Sequence, residues 1–132
     1  PRLGRKFVVS GDTSPTDQVV VAAHRADVLV HEATFMDADA DRAAQTGHST
    51  ARQAAQVAVD AEVKLLALTH LSARYFRPDV KAEARAVFPD AKLVRDFDTI
   101  EIPMPERGLP ELVSWRDRVE AEKLAAAPSA ST

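Results

Sequence analysis

Apolar residues along the chain fall into short runs that alternate with longer, mostly polar stretches. Residues 6–10, with Phe7-Val8-Val9, and residues 27–31, with Val28-Leu29-Val30, read as buried strands. So do residues 63–69, 92–94 and 99–102; the run Leu65-Leu66-Ala67-Leu68 is nearly all apolar and predicts a central strand. Between these runs the period changes. Ala51, Ala54, Ala55, Ala58 and Ala61 recur at helical spacing, which predicts a helix over 49–62 with Ser49 as its cap and one small face for close packing on a sheet. Shorter helices are expected over 17–25 after a Thr16 cap, and over 79–87 with Pro78 in the first turn. Residues 33–47 carry Asp37, Asp39 and Asp41 and predict a loop, with or without one helical turn.

The resulting order, β-α-β-α-β-α-β-β, indicates an α/β fold. Composition shifts after Pro105, so residues 1–105 read as the domain and 106–132 as a tail. Within the tail, 112–126 could form a helix holding Trp115, and the Ala/Pro/Ser-rich 125–132 reads as disordered.

Bulk numbers change this picture little. The 132 residues suit one domain or part of a larger one, with 45% hydrophobic and 28% charged positions. Aromatics make up only 5%, so the core is expected to be aliphatic. A net charge of −3 argues against nonspecific nucleic-acid binding through bulk charge, though not against a local basic patch. The absence of Cys excludes disulfides, thiolate metal sites and a Cys nucleophile. No apolar run approaches the roughly 18 residues a membrane span needs, and a cytoplasmic location is the expectation.

Candidate chemistry sits where the strands end. Sites in α/β sheets lie beyond the carboxyl ends of the strands. Asp12 follows the first strand, His31 and Glu32 end the second, and His70 ends the third. A charge there needs a partner or water. Asp12 is equally readable as a turn residue satisfying its own backbone and as a ligand. His48 lies just before a helix, where the macrodipole disfavours an imidazolium, so a charged His48 needs a carboxylate; Glu32 is the natural candidate. His24 reads as a surface residue. A Ser-His-Asp hydrolase fits poorly, because neither Ser10, Ser49 nor Ser72 lies in a Gly-x-Ser-x-Gly elbow. Metal chemistry fits better, since imidazole nitrogen and carboxylate oxygen are standard zinc ligands.

Four stretches carry a family resemblance: residues 4–13 ending in Ser10-Gly11-Asp12-Thr13, residues 26–35 with His31-Glu32-Ala33-Thr34, Gly47-His48-Ser49-Thr50, and Thr69-His70-Leu71-Ser72-Ala73-Arg74-Tyr75. In this order they resemble the carboxyl-terminal half of ribonuclease Z, the tRNA 3′-processing endonuclease of the metallo-β-lactamase superfamily. The resemblance implies the carboxyl-terminal half of an αββα sandwich and a zinc-dependent phosphodiesterase that removes the 3′ trailer from precursor tRNA, working as a homodimer. It implies that Asp12 bridges two zinc ions and His70 ligates one of them. It further implies that Glu32 orients and charges His48, which protonates the leaving 3′ oxygen. Thr13, His31, Ser49, Thr50, Ser72 and Arg74 would support these groups or contact phosphate.

The family's His-x-His-x-Asp-His motif is absent from this sequence, which has four His in all. Asp12 and His70 alone do not close a two-ion site. The expectation is therefore about half of the fold, inactive alone, with an amino-terminal half needed for the metal site. Two other readings remain: a hydrolase of small phosphodiesters or sulfate esters with the same fold, and a non-catalytic binding domain of that fold.

Overall fold

Four strands alternate with helices in the way the hydrophobic pattern requires. In the computed structural model, which describes residues 4–128, β1 (Phe7–Val9), β2 (Val28–Glu32), β3 (Leu65–Thr69) and β4 (Lys92–Leu93) form one parallel sheet in that order. Leu29 pairs with Val8 on one side and with Leu66 on the other, while His31 and Glu32 pair with Leu68 and Thr69. Parallel strands need crossovers. Here α1 (Asp17–Ala22) joins β1 to β2, α2 (Ala40–Thr46) and α3 (Ala51–Ala61) join β2 to β3, and α4 (Arg77–Arg85) joins β3 to β4. Right-handed crossovers that advance in one direction place every helix on the same face of the sheet.

The two faces of the sheet are accordingly different. On the helical side Leu29, Leu66 and Leu68 meet Ala51, Ala54, Ala55, Ala58 and Ala61 of α3, all fully buried. Alanine has no bulk beyond Cβ, so α3 lies close against the strands. On the other side Val28, Leu65 and Ala67 pack against Ile100 and Ile102. Ile100 belongs to β5 (Thr99–Glu101), which pairs antiparallel with β6 (Glu111–Val113) as a second, two-stranded sheet. Phe7 and Val9 share that second face by register with Val28 and Val30, yet they are 54% and 58% exposed.

Several expectations are corrected. Residues 33–47 are mostly helical: a 3₁₀ turn over Asp37–Asp39 leads into α2. The polarity that suggests a loop arises because α2 is solvated on nearly all sides and buries only Ala43. The cap of α3 is Thr50, not Ser49. Thr50 accepts from the Gln53 N–H while the Gln53 side chain accepts from the Thr50 N–H, a capping box. Leu112 lies in β6, and α5 (Trp115–Ala126) begins only after its Ser114 cap. A three-residue strand with only two apolar positions, next to a helix start, reads as part of the helix on periodicity alone. The expected tail thus supplies a strand to the second sheet. Of the stretch expected to be disordered, residues 129–132 lie outside the described residues, and 125–126 end α5. Among the described residues no helix is long and apolar enough to cross a membrane.

In-register parallel pairing brings the carboxyl ends of β1, β2 and β3 to one edge. Leu66, fully buried between the helical layer and the sheet, sets the cohesion of this arrangement. Replacing Leu66 with Ala is expected to lower unfolding free energy by about 2–5 kcal/mol in urea titration; a decrease under about 1 kcal/mol would show that this layer is not the core.

Candidate active site

The edge is organised by a carboxylate that is 1% exposed. Glu32, at the end of β2, receives five hydrogen bonds. Its Oε1 accepts from the Thr13 N–H at 3.2 Å, the Ser49 N–H at 3.0 Å and the His48 Nδ1 at 2.9 Å; its Oε2 accepts from the Thr34 N–H and hydroxyl, both at 2.9 Å. These donors come from the loop after β1, the loop after β2 and the connection into α3. Burial raises the Glu32 pKa, but the Thr34, His48 and Ser49 bonds outweigh it, and the carboxyl is held below its ordinary value.

This bonding fixes the neighbouring rings. His48 follows Gly47, whose φ of 72° ends α2 in the left-handed conformation that favours glycine. Its backbone N–H bonds the Ala43 carbonyl at 2.9 Å, and its side chain is 21% exposed. With Nδ1–H given to Glu32, Nε2 is the free nitrogen. His70 sits at the end of β3 with φ 55°, a strained value for a residue with a Cβ. The Thr34 hydroxyl gives its one proton to Glu32, so at 2.8 Å it accepts from His70 Nδ1–H; His70 Nε2 is then a free lone pair. The two imidazoles stack with centroids 5.5 Å apart. Asp12, on the turn after β1, places Oδ1 3.6 Å from His70 Nδ1, and both side chains are more than half exposed.

The other predicted residues have distinct placements. Thr13 holds Glu32 through its N–H, and its carbonyl accepts the Ser49 hydroxyl at 2.6 Å, which locks the first turn to the start of α3. Thr50 is fully buried, and its hydroxyl bonds Asp37 at 2.6 Å, so it serves the helix cap and reaches no phosphate. His31 points into the helical side of the core, fully buried. Its Nδ1–H donates to the Glu32 carbonyl at 2.8 Å, and its Nε2 has no hydrogen-bond partner among the described residues. Burial holds its pKa below the ordinary imidazole value, against the opposing pull of Glu32. Ser72 caps a turn by accepting from the Arg74 N–H at 3.3 Å, and Arg74 lies 3.8 Å from Asp39 and over the Tyr75 ring. Thr34 is the residue that sequence reasoning passed over. It touches Glu32, His48 and His70 together. Its signal was present, since it lies two residues past Glu32, but a lone Thr in a loop does not reveal three partners.

Glu32, His48 and His70 bring one potential metal-ligand atom each within 4.8 Å of one another. Glu32 does not suit that role, because its oxygens already serve five donors. The donor set that remains open for a metal is the Asp12 carboxylate with the His70 Nε2. These are suitable ligand types, and His70 is fixed through its second nitrogen as metal-binding imidazoles commonly are. Two donors do not complete a coordination sphere.

The pKa directions set a pH dependence. His31 is held neutral in the folded state, so the unfolded chain binds more protons as pH falls below about 6.5, the ordinary imidazole value, and stability declines toward acid. Glu32 adds a second decline, from about pH 4.5 downward through its lower folded value. Urea midpoints at pH 7.5 and 5.5 are expected to drop more in the parent protein than in a His31→Leu variant; an equal or larger drop in the variant would contradict the neutral, buried His31.

A model described as beta-lactamase superfamily domain matches residues 2–71, over half of the chain. The chain is 50% identical over 107 residues to ribonuclease Z of Gemmatimonas aurantiaca, covering 80% of this chain and 34% of that relative. Human tRNase Z, short form, superposes with a TM-score of 0.61 at 38% identity, covering 76% of this chain and 34% of that one. The metallo-beta-lactamase fold protein YhfI from Bacillus subtilis superposes with a TM-score of 0.61 at 28% identity, over 67% of this chain and 36% of that one. The chain thus spans about a third of the length of these relatives, and the described sheet, helices and edge make up part of a metallo-β-lactamase fold. On its sequence match and its architecture together, the chain belongs to the beta-lactamase superfamily.

Proposed function

We propose that this chain forms part of a zinc-dependent endoribonuclease that removes the 3′ trailer from precursor tRNA. The observation that carries the reading is the Glu32–His48 pair: a buried carboxylate, satisfied by four other donors, that aims one imidazole at the edge where Asp12 and His70 stand. A carboxylate invested this way in orienting a His suits proton transfer, not mere stability. The likeness to ribonuclease Z supports the substrate class. A homodimer and a cytoplasmic location would accompany that substrate class and belong to the same proposal.

Asp12 and His70 would hold the metal, and further ligands would come from protein outside this sequence. When bound, zinc supplies a Lewis acid that polarises the phosphoryl oxygens and activates water. The chain's own residues do the rest. Glu32 keeps the His48 Nδ1 proton in place and balances the charge of the imidazolium. His48, through Nε2, donates a proton to the departing 3′ oxygen of the upstream ribose. Thr34 ties His70 and Glu32 to one hydroxyl, so the ligand and the general acid keep a fixed spacing. Thr13 and Ser49 hold the Glu32 side chain from the opposite side. The apolar patch at Phe7 and Val9 would receive the remainder of the αββα sandwich.

The test supplies what the chain lacks. Fused to the amino-terminal part of the Gemmatimonas aurantiaca ribonuclease Z, this chain is expected to cleave precursor tRNA in the presence of zinc, and by itself it is expected not to. In the fusion His48→Ala and Glu32→Gln are each expected to lower turnover by about 10²–10⁴-fold. A folded, zinc-loaded fusion without cleavage would sink the proposal, and so would full turnover in His48→Ala.

A further inference from the structure

Beyond the edge itself, the carboxyl end of β4 carries a basic and aromatic surface that the proposed chemistry does not use. A cleft of about 500 Å³ runs from His70 to Arg77, Arg95, Phe97, Trp115 and Arg116. Arg77 and Arg95 also border a second cavity of about 330 Å³, which adds Lys81 and Arg85 of α4 and has no acidic residue among its walls. The two cavities share Arg77 and Arg95 as wall residues and so adjoin, giving a path away from His70 that passes these two arginines.

These cations are not neutralised by the fold. Among the described residues none of Arg77, Lys81, Arg85 and Arg95 takes part in an ion pair. The Arg77 and Arg85 side chains bond only backbone carbonyls, of Val94 at 3.2 Å and Ala91 at 3.0 Å. Burial and the adjacent Arg95 both push the Arg77 pKa down, against Asp98. One carboxylate, Asp96, lines the path, and Asp98 lies close enough to act on Arg77. Both oxygens of Asp98 accept backbone N–H groups, from Arg95 and from Trp115, each at 2.9 Å. A chain of net charge −3 that gathers four cations with no ion pair among the described residues has room there for an anion.

The aromatic part is equally fixed. Asp98 joins the turn after β4 to the start of α5, and so sets Phe97 beside Trp115 with centroids 6.0 Å apart. Phe97 holds φ 70°, costly for a residue with a side chain, and is 76% exposed; Trp115 is 44% exposed. An aromatic pair kept in solvent by a strained turn suits stacking on a planar ligand. A cluster of cations beside a pair of exposed aromatics matches a single nucleic-acid strand, which presents both phosphates and bases.

We propose that this path binds a single-stranded RNA segment adjoining the scissile phosphate, with Arg77, Arg95, Lys81 and Arg85 on its phosphates and a base stacked on Phe97 and Trp115. The proposal rests on the nuclease reading of the neighbouring edge.

Trp115 is the only tryptophan of the chain and reports directly. Titrating the 132-residue chain with octauridylate is expected to quench its fluorescence, with an affinity that falls as salt rises. Arg95→Gln and Lys81→Gln are expected to flatten the salt slope by about 0.7 for each phosphate that is no longer neutralised. Phe97→Ala is expected to weaken binding about tenfold at unchanged circular dichroism. In the active fusion, Arg95→Gln should reduce precursor-tRNA cleavage at least tenfold more than hydrolysis of a small chromogenic phosphodiester. No quench, or a quench indifferent to Arg95→Gln and Lys81→Gln, overturns the path even if the fusion cleaves RNA. A quench with the expected variant effects in a fusion that hydrolyses no phosphodiester supports the path and overturns the nuclease reading instead.

Discussion

The buried carboxylate of Glu32 is the constraint on which the edge depends. A charged group at 1% exposure is tolerable only when its lone pairs are filled, and here five donors fill them. The donors are spread over separate turns and a ring, so satisfying one residue positions the loop after β1, the loop after β2, His48 and the entry to α3. Thr34 extends the same arrangement to His70. Functional geometry thus follows from the requirement to satisfy a single buried charge.

The sheet beneath makes that convergence possible. Parallel strands in register end together, and crossovers in one direction put the helices on one face of the sheet. The alanine face of α3 brings the helical layer close, so that Ser49 at its start reaches the Thr13 carbonyl across the edge. Opposite, the β5–β6 pair covers Val28, Leu65 and Ala67 but not Phe7 and Val9. The uncovered patch fits a chain that spans about a third of the length of the relatives it matches.

The path through Arg77, Arg95, Phe97 and Trp115 extends the same edge by one strand. The site elements follow β1 to β3, whereas Arg77 opens α4, Arg95 and Phe97 follow β4, and Trp115 opens α5. A surface of this kind adds length to what the edge can recognise without adding a group to its chemistry. Its construction is simple, since Asp98 alone ties the β4 turn to the helix that carries Trp115.

The sequence by itself determined the strands, because a buried parallel strand must be an apolar run, and it determined α3, because close packing requires small residues at helical spacing. It also marked Asp12, Glu32, His48 and His70, since charges at apolar strand ends need a reason to be there. It did not determine α2, whose solvated surface carries no periodic signal, nor β6, too short to show alternation. Partnership was beyond it as well. Only the tertiary structure decided that Glu32 is saturated with donors and that His48 is one of them. The fold likewise withdrew Thr50 and His31 from the surface and gave Thr34 three partners. These are matters of which groups meet across separate turns, and residue order constrains such meetings only after the chain has closed on itself.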